Sequence, residues 1–149
     1  MIYSAGIIPF RINKDTEEIE FFVGHPGGHK WNTKNYWAFL KGHVEKDESW
    51  VTAAIREFKE ESGLSMEECD PNMLIPLGAV QQNAHKTVIA FGLHYPDISP
   101  DECESNLTEE GFPEIDLYRW MTFKELKDNT HPTHFNFYEQ IIDRVQNNG

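Results

Sequence analysis

Three carboxylates sit within five residues of one another in the stretch "AIREFKEESGL": Glu57, Glu60 and Glu61, at spacings of three and four. On a helix that advances about 100° per residue, Glu61 lies about 40° to one side of Glu57 and Glu60 about 60° to the other. The acids therefore share an arc of roughly 100°. Val51, Ile55 and Phe58 form an apolar stripe beside that arc, so the acids are expected at the boundary between core and solvent. A solvated charged face with Arg56 and Lys59 as partners is one reading. Two physical costs weigh against it. Like charges at i, i+4 repel, and the acids lie towards the helix C-terminus, where the dipole disfavours anions. A bound cation would offset both costs, and oxygen-rich clusters suit hard cations such as Mg²⁺ or Mn²⁺.

The wider stretch is "GHVEKDESWVTAAIREFKEESGL", residues 42–64. It runs Gly42, five residues, Glu48, seven residues, Arg56-Glu57, apolar Phe58, Lys59, Glu60-Glu61, Ser62, Gly63 and apolar Leu64. Seven fixed residues at ~7% frequency each would coincide by chance on the order of once in 10⁸ start positions. The stretch matches without a gap the signature of the Nudix hydrolases, and the order of the flanking elements resembles that family over most of the chain.

The resemblance implies a single domain over 1–149 with the Nudix fold, an α/β sandwich in which helices enclose a mixed sheet. It implies hydrolysis, assisted by Mg²⁺ or Mn²⁺, of a nucleoside diphosphate linked to a group X. By the same resemblance Glu57, Glu60 and Glu61 would be metal ligands, joined by a backbone carbonyl near Lys41–Gly42. Glu57 would also be a candidate to deprotonate water. Arg56 would hold the carboxylates, Glu48 would support the loop, and Gly42 and Gly63 would permit turns that a Cβ hinders. A fourth acid often stands six residues before a tryptophan, which points to Glu114 before Trp120, with Glu110 in competition. "HPGG", "YWAFLKGH" and "GFPEIDLYRW" resemble a branch of NTP pyrophosphohydrolases, though Leu40 replaces a proline usual there. "KGHVE" and "YRW" are similar to diadenosine tetraphosphate hydrolases. A non-catalytic Nudix-fold nucleotide sensor is the alternative; the intact glutamates speak against it.

Other residues have two readings each. Lys41 and Lys86 could contact phosphate or be surface lysines. His25, His29 and His43 surround the loop before the signature, where ordinary hydrogen bonding competes with a role at a base or in proton transfer. His131 and His134 shape the entry to the last helix. Trp31, Tyr36, Phe135 and Tyr138 could stack on a nucleobase or pack in the core. "HPGG" lacks the helix context of a phosphate-binding loop.

Strands are expected over "SAGIIPFRI", "EIEFFVGH", "WAFLKG", "MLIPLGAVQQ", "KTVIAFGLHY" and "IDLYRWMTF". Helices are expected after the caps Asp47 and Ser49, and over "FNFYEQIIDRVQN", where Tyr138, Ile141, Ile142 and Val145 keep helical spacing. The segments 24–36 and 96–113 read as loops that choose the substrate. A net charge of −12 excludes a surface that coats nucleic acid and favours a small nucleotide partner met through metal. No apolar run reaches the ~20 residues of a membrane span. The N-terminus lacks a signal-peptide pattern. The expected setting is cytoplasmic and reducing, with Cys69 and Cys103 as free thiols, or less readily paired with each other.

Overall fold

A computed structural model of the chain describes residues 1–66 and 70–147. Cys69 lies outside the described residues. Six strands form one mixed sheet: β1 (Ile2–Ile12), β2 (Ile19–Pro26), β3 (Leu40–His43), β4 (Ile75–Asn83), β5 (Lys86–His94) and β6 (Ile115–Thr122). The order is β4-β5-β1-β2-β6. The long strand β1 organises it. One edge of β1 runs parallel to β5 from Ile2 to Phe10. The other edge is shared, with β3 opposite Ser4–Ile7 and β2 opposite Phe10–Ile12.

Alternation along the strands sends side chains to two cores. Ala5, Ile7, Phe22, Ile89, Phe91 and Leu93 face α1 (Trp50–Ser62). Ile8, Phe10, Phe21, Val23, Val88 and Ala90 face α3 (Phe135–Asn147). This is the period-2 signature of a sheet buried on both sides, and it bears out the expected sandwich.

The third strand starts later than the sequence implies. "WAFLKG" enters as a crossing segment, with the Trp37 N–H donating to Asn129 O at 2.8 Å and Ala38 bridging Gly24 alone, before β3 begins at Leu40. Leu40 is buried and pairs with Ile7. At the far end, Phe123 opens a short helix, α2 (Phe123–Leu126), rather than ending β6. The reason is a capping box: Thr122 Oγ1 accepts from the Glu125 N–H, and Glu125 Oε1 accepts from the Thr122 N–H. Among the described residues no helix is long and apolar enough to cross a membrane.

Helix α1 begins where Ser49 Oγ accepts from the Thr52 N–H at 3.1 Å. Asp47, the other expected cap, instead takes a left-handed turn (φ 65). The helix ends at Gly63 in the left-handed conformation (φ 75), with its N–H on Lys59 O. Its buried residues are Ala53, Ala54, Phe58, Glu61 and Ser62. Val51 and Ile55 are half-buried. The core-facing line therefore passes through Glu61, closer to the sheet than the expected boundary position.

Candidate active site

Arg56 is the hub of the signature stretch. Its Nε donates to Glu48 Oε2 at 2.8 Å and its Nη2 to Glu48 Oε1 at 3.0 Å, a two-pronged grip. Nη2 also donates to His43 O at 2.9 Å, and Nη1 to Glu57 Oε1 at 2.8 Å and Glu60 Oε2 at 3.4 Å. Glu48 in turn accepts from the Glu45 N–H at 3.0 Å. The loop between β3 and α1 is thus fastened to the same guanidinium that orients two of the acids. Hydrogen bonds from Arg56 hold the Glu48 carboxyl below its usual range, and the same bonds strengthen the guanidinium's hold on its proton.

The three acids differ in exposure. Glu60 is exposed, Glu57 is half-buried, and Glu61 is only 5% exposed. Glu61 Oε2 is buried with no hydrogen-bond partner. Burial pushes the Glu57 carboxyl up, and pushes Glu61 well above the usual carboxylate value, with the neighbouring Glu57 charge adding to the Glu61 shift. Gly42 lies under Glu57. A Cβ there would stand 2.1–2.5 Å from the Glu57 carboxyl atoms. Gly42 is thus required for space, not for the turn the sequence suggested. Gly63 does serve a turn, and a Cβ on it would also meet Glu104 O at 2.8 Å.

Backbone bonds carry Glu114 to this end of the helix. The Glu104 N–H donates to Ser62 O at 3.0 Å and the Asn106 N–H to Glu60 O at 2.9 Å. Asn106 O accepts from the Glu114 N–H, and Glu114 O from the Gly27 N–H, both at 2.9 Å. The Tyr118 hydroxyl donates to Glu61 O. Glu114 consequently lines the same cleft as Glu61. Glu110 sits on the turn closed by the Gly111 N–H to Thr108 O and is not among the lining residues.

That cleft has a volume of about 290 Å³, near the lower end for a small-molecule site. Besides Glu61 and Glu114 it is lined by Lys41, Lys86, Trp31, Tyr36, Gln82 and His131. Neither lysine is a plain surface residue. Desolvation and the nearby Lys86 charge bring the Lys41 ammonium down to about 8, and desolvation lowers Lys86. Trp31 and Tyr36 pack with ring centres 5.0 Å apart. The other two aromatic candidates lie elsewhere. Tyr138 is fully buried in the α3 core, and Phe135 packs on Phe123.

Of the histidines, His25 is committed to structure. Its Nδ1 pairs with Asp116 and its Nε2 with Lys34 O, both at 2.7 Å. His29 stands edge-on to Phe112, and His43 contributes its backbone carbonyl to Arg56. His131 caps the short 3₁₀ turn Pro132–His134 that leads into α3, and it also reaches the cleft. His134 is fully buried in the second core, its Nε2 against Gln82 Oε1 at 2.9 Å. Loop 24–36 contributes Trp31 and Tyr36 to the cleft, while the 96–113 loop contributes the backbone ties beside it. Gln82 carries no local signal in the sequence: it is the second of two adjacent glutamines near the end of a strand. Cys103 is a free thiol, pushed up to about 11 by burial.

The acids and Lys41 could hold a hard divalent cation through oxygen donors, on three grounds. Glu61 has an orphaned buried oxygen. Glu57 lies in a cradle that a Cβ would fill. Arg56 leaves the second oxygens of Glu57 and Glu60 free of its own bonds. No three His, Cys, Asp or Glu side chains among the described residues are grouped as a ready metal cage.

Comparison with known proteins adds the family. The mRNA decapping complex subunit 2 of Schizosaccharomyces pombe is 31% identical over 113 residues, covering 75% of this chain and 14% of that protein. A relative from Acanthamoeba polyphaga mimivirus is 28% identical over 85% of this chain and 35% of its own length. The chain thus spans about a seventh and about a third of the curated relatives it matches. Among solved structures, a Caenorhabditis elegans Ap4A hydrolase binary complex superposes with TM-score 0.65 at 21% identity, covering 98% of this chain and 99% of that one. The NUDIX domain of Shewanella oneidensis NrtR complexed with ADP ribose gives TM-score 0.68 at 11% identity, covering 97% and 88%. These two share the fold. The NUDIX domain family model matches residues 5–141, nearly the whole chain, and so the chain belongs to the NUDIX domain family, the Nudix hydrolase superfamily whose signature it carries from Gly42 to Leu64.

Proposed function

We propose that this Nudix hydrolase is a divalent-metal-dependent pyrophosphohydrolase that cleaves a nucleoside diphosphate linked to a group X, with NTPs or dinucleoside polyphosphates as the substrate class. One observation carries the reading. The acid end of α1 meets two ammonium groups, Lys41 and Lys86, in a single cleft with an aromatic pair. A protein of net charge −12 otherwise repels a polyphosphate.

In this reading Glu57, Glu60, Glu61 and Glu114, with a backbone carbonyl near Lys41–Gly42, hold Mg²⁺ or Mn²⁺. When bound, such an ion neutralises phosphate charge, polarises phosphorus and lowers the pKa of coordinated water. The protein's own groups do the rest. Lys41 and Lys86 draw in the phosphates. Arg56 fixes Glu57 and Glu60. Burial raises the proton affinity of Glu57 above that of an ordinary carboxylate, which suits it to take the proton of the attacking water as the bridging P–O bond breaks. Glu48, Gly42 and Gly63 keep the loop and helix in register.

A second reading makes a capped RNA end the substrate. It is favoured by the named role of the S. pombe relative. A turnover screen across NTPs, dinucleoside polyphosphates, nucleotide sugars and capped RNA, with products identified by mass, tests both readings. Metal-dependent release is expected, abolished reversibly by chelation. Glu60→Gln is expected to keep the fold and lose at least ~100-fold in turnover. Full activity of that variant at saturating Mg²⁺ would remove the ligand assignment. Cleavage that persists in chelator would overturn the mechanism, and binding without turnover would leave a nucleotide sensor.

A further inference from the structure

Gln82 projects from β4 into the cleft, and a residue from the short turn that leads into α3 controls its orientation. His134 is fully buried, and its Nε2 lies 2.9 Å from Gln82 Oε1. The other ring nitrogen, Nδ1, is buried with no partner. Burial also keeps the ring neutral, with its pKa pushed down to about 2. A neutral imidazole carries one N–H. Placing it on Nδ1 would bury a donor with nothing to receive it, whereas an unprotonated Nδ1 only forgoes an acceptor role. The proton therefore sits on Nε2 and is donated to Gln82 Oε1. Turning the amide over would set two donors against each other. Gln82 is thus locked with its NH₂ as the free group.

We infer that Gln82, oriented by His134, is a specificity-determining residue that reads the base of the bound nucleotide, its NH₂ donating to a 6-oxo acceptor and rejecting a 6-amino group. This deepens the nucleotide-hydrolysis reading and rests on it. Guanine and hypoxanthine present an O6 acceptor, whereas adenine presents an N6 donor. Trp31 and Tyr36 line the same cleft and supply an aromatic surface, but stacking alone does not distinguish these bases.

The test uses the full chain and nucleoside monophosphates, which report binding without turnover. Titration calorimetry compares GMP and IMP with AMP, and initial rates compare KM for GTP, ITP and ATP. Wild type is expected to favour the 6-oxo ligands by about ten-fold. Gln82→Met removes the donor and is expected to bring the ratio to about one. Gln82→Glu keeps an acceptor for His134, presents only acceptors to the base, and is expected to turn the preference towards AMP. Thermal melts check that both variants fold. Equal affinity of wild type for IMP and AMP, an unchanged ratio in Gln82→Met, or no binding of any monophosphate would each overturn the assignment. A 6-oxo preference in binding without cleavage of any nucleotide would instead refute the hydrolase reading and leave Gln82 in place.

Discussion

Replacing Glu61 by glutamine should make the metal-free protein more stable while destroying its metal response. Glu61 is 5% exposed and one of its oxygens has no partner. An unsatisfied buried group costs about 1–3 kcal/mol, and more when charged. The nearby Lys41 charge returns part of this. The amide that replaces the carboxylate would also need acceptors, so a net gain of about 1–2 kcal/mol is expected. For a chain of this size that raises Tm by about 2–8 °C. The gain depends on pH in a definite direction. Burial raises the folded carboxyl above its ordinary 4.5, so the folded state holds the proton more tightly than the unfolded chain does. The penalty is therefore absent below 4.5 and grows as pH rises from there towards the raised value. Melts in EDTA should accordingly show Glu61→Gln above wild type at about pH 8 and level with it at about pH 4. Saturating Mg²⁺ should reverse the order at the higher pH, since a ligand at about 100 times its Kd adds about 2.7 kcal/mol to the form that binds it. A variant less stable than wild type in EDTA at that pH, or one stabilised by Mg²⁺ as much as wild type, would refute the reasoning.

Two further outcomes follow from the same geometry. Gly42→Ala puts a Cβ 2.1 Å from Glu57 Oε2, so the carboxylate must move off the cradle; turnover should fall by ~100-fold or more while circular dichroism stays unchanged. His134 should remain neutral, its imidazole NMR shifts flat from about pH 8 to about pH 5, because burial holds its pKa down to about 2. The unfolded chain does take up that proton near 6.5, so the contribution of His134 to stability should drop by up to about 1.4 kcal/mol per pH unit as pH falls below 6.5, against the opposite trend from Glu61. Imidazole shifts that titrate near the ordinary histidine value would contradict the burial argument.

What the sequence revealed and what it hid divide along a physical line. Features with a local period were legible. Apolar runs bounded by polar and turn residues marked the six strands, the caps at Ser49 and Gly63 bounded α1, and the spacing of Glu57, Glu60 and Glu61 marked the acid cluster. Features made by chain crossing were less legible. Glu114 was placed only by its distance from Trp120; the structure supplies the cause, a backbone path from Glu60 through Asn106 and Glu114 to Gly27. Lys86, Gln82 and His131 reach the cleft from a hairpin and a turn far along the chain, and no spacing links them to the acids.

The misplacement of Glu61 carries the most instruction. Centring the helix on its hydrophobic residues, Val51, Ile55 and Phe58, put all three acids at the edge. The buried line instead runs Ala54, Phe58 and Glu61, with Glu61 only about 20° from Ala54 around the axis. Any reading that turns charged residues outward must rotate the helix away from this arrangement. The error is thus systematic, and it arises only where a carboxylate occupies a core position against its own solvation. Such a position opposes stability, so something other than folding must account for it. A cation that needs a desolvated oxygen is the account we propose: the bare glycine beneath Glu57 and the guanidinium that keeps the remaining acids from scattering fit it, while the two lysines across the cleft suit the polyphosphate that such a cation would help to bind.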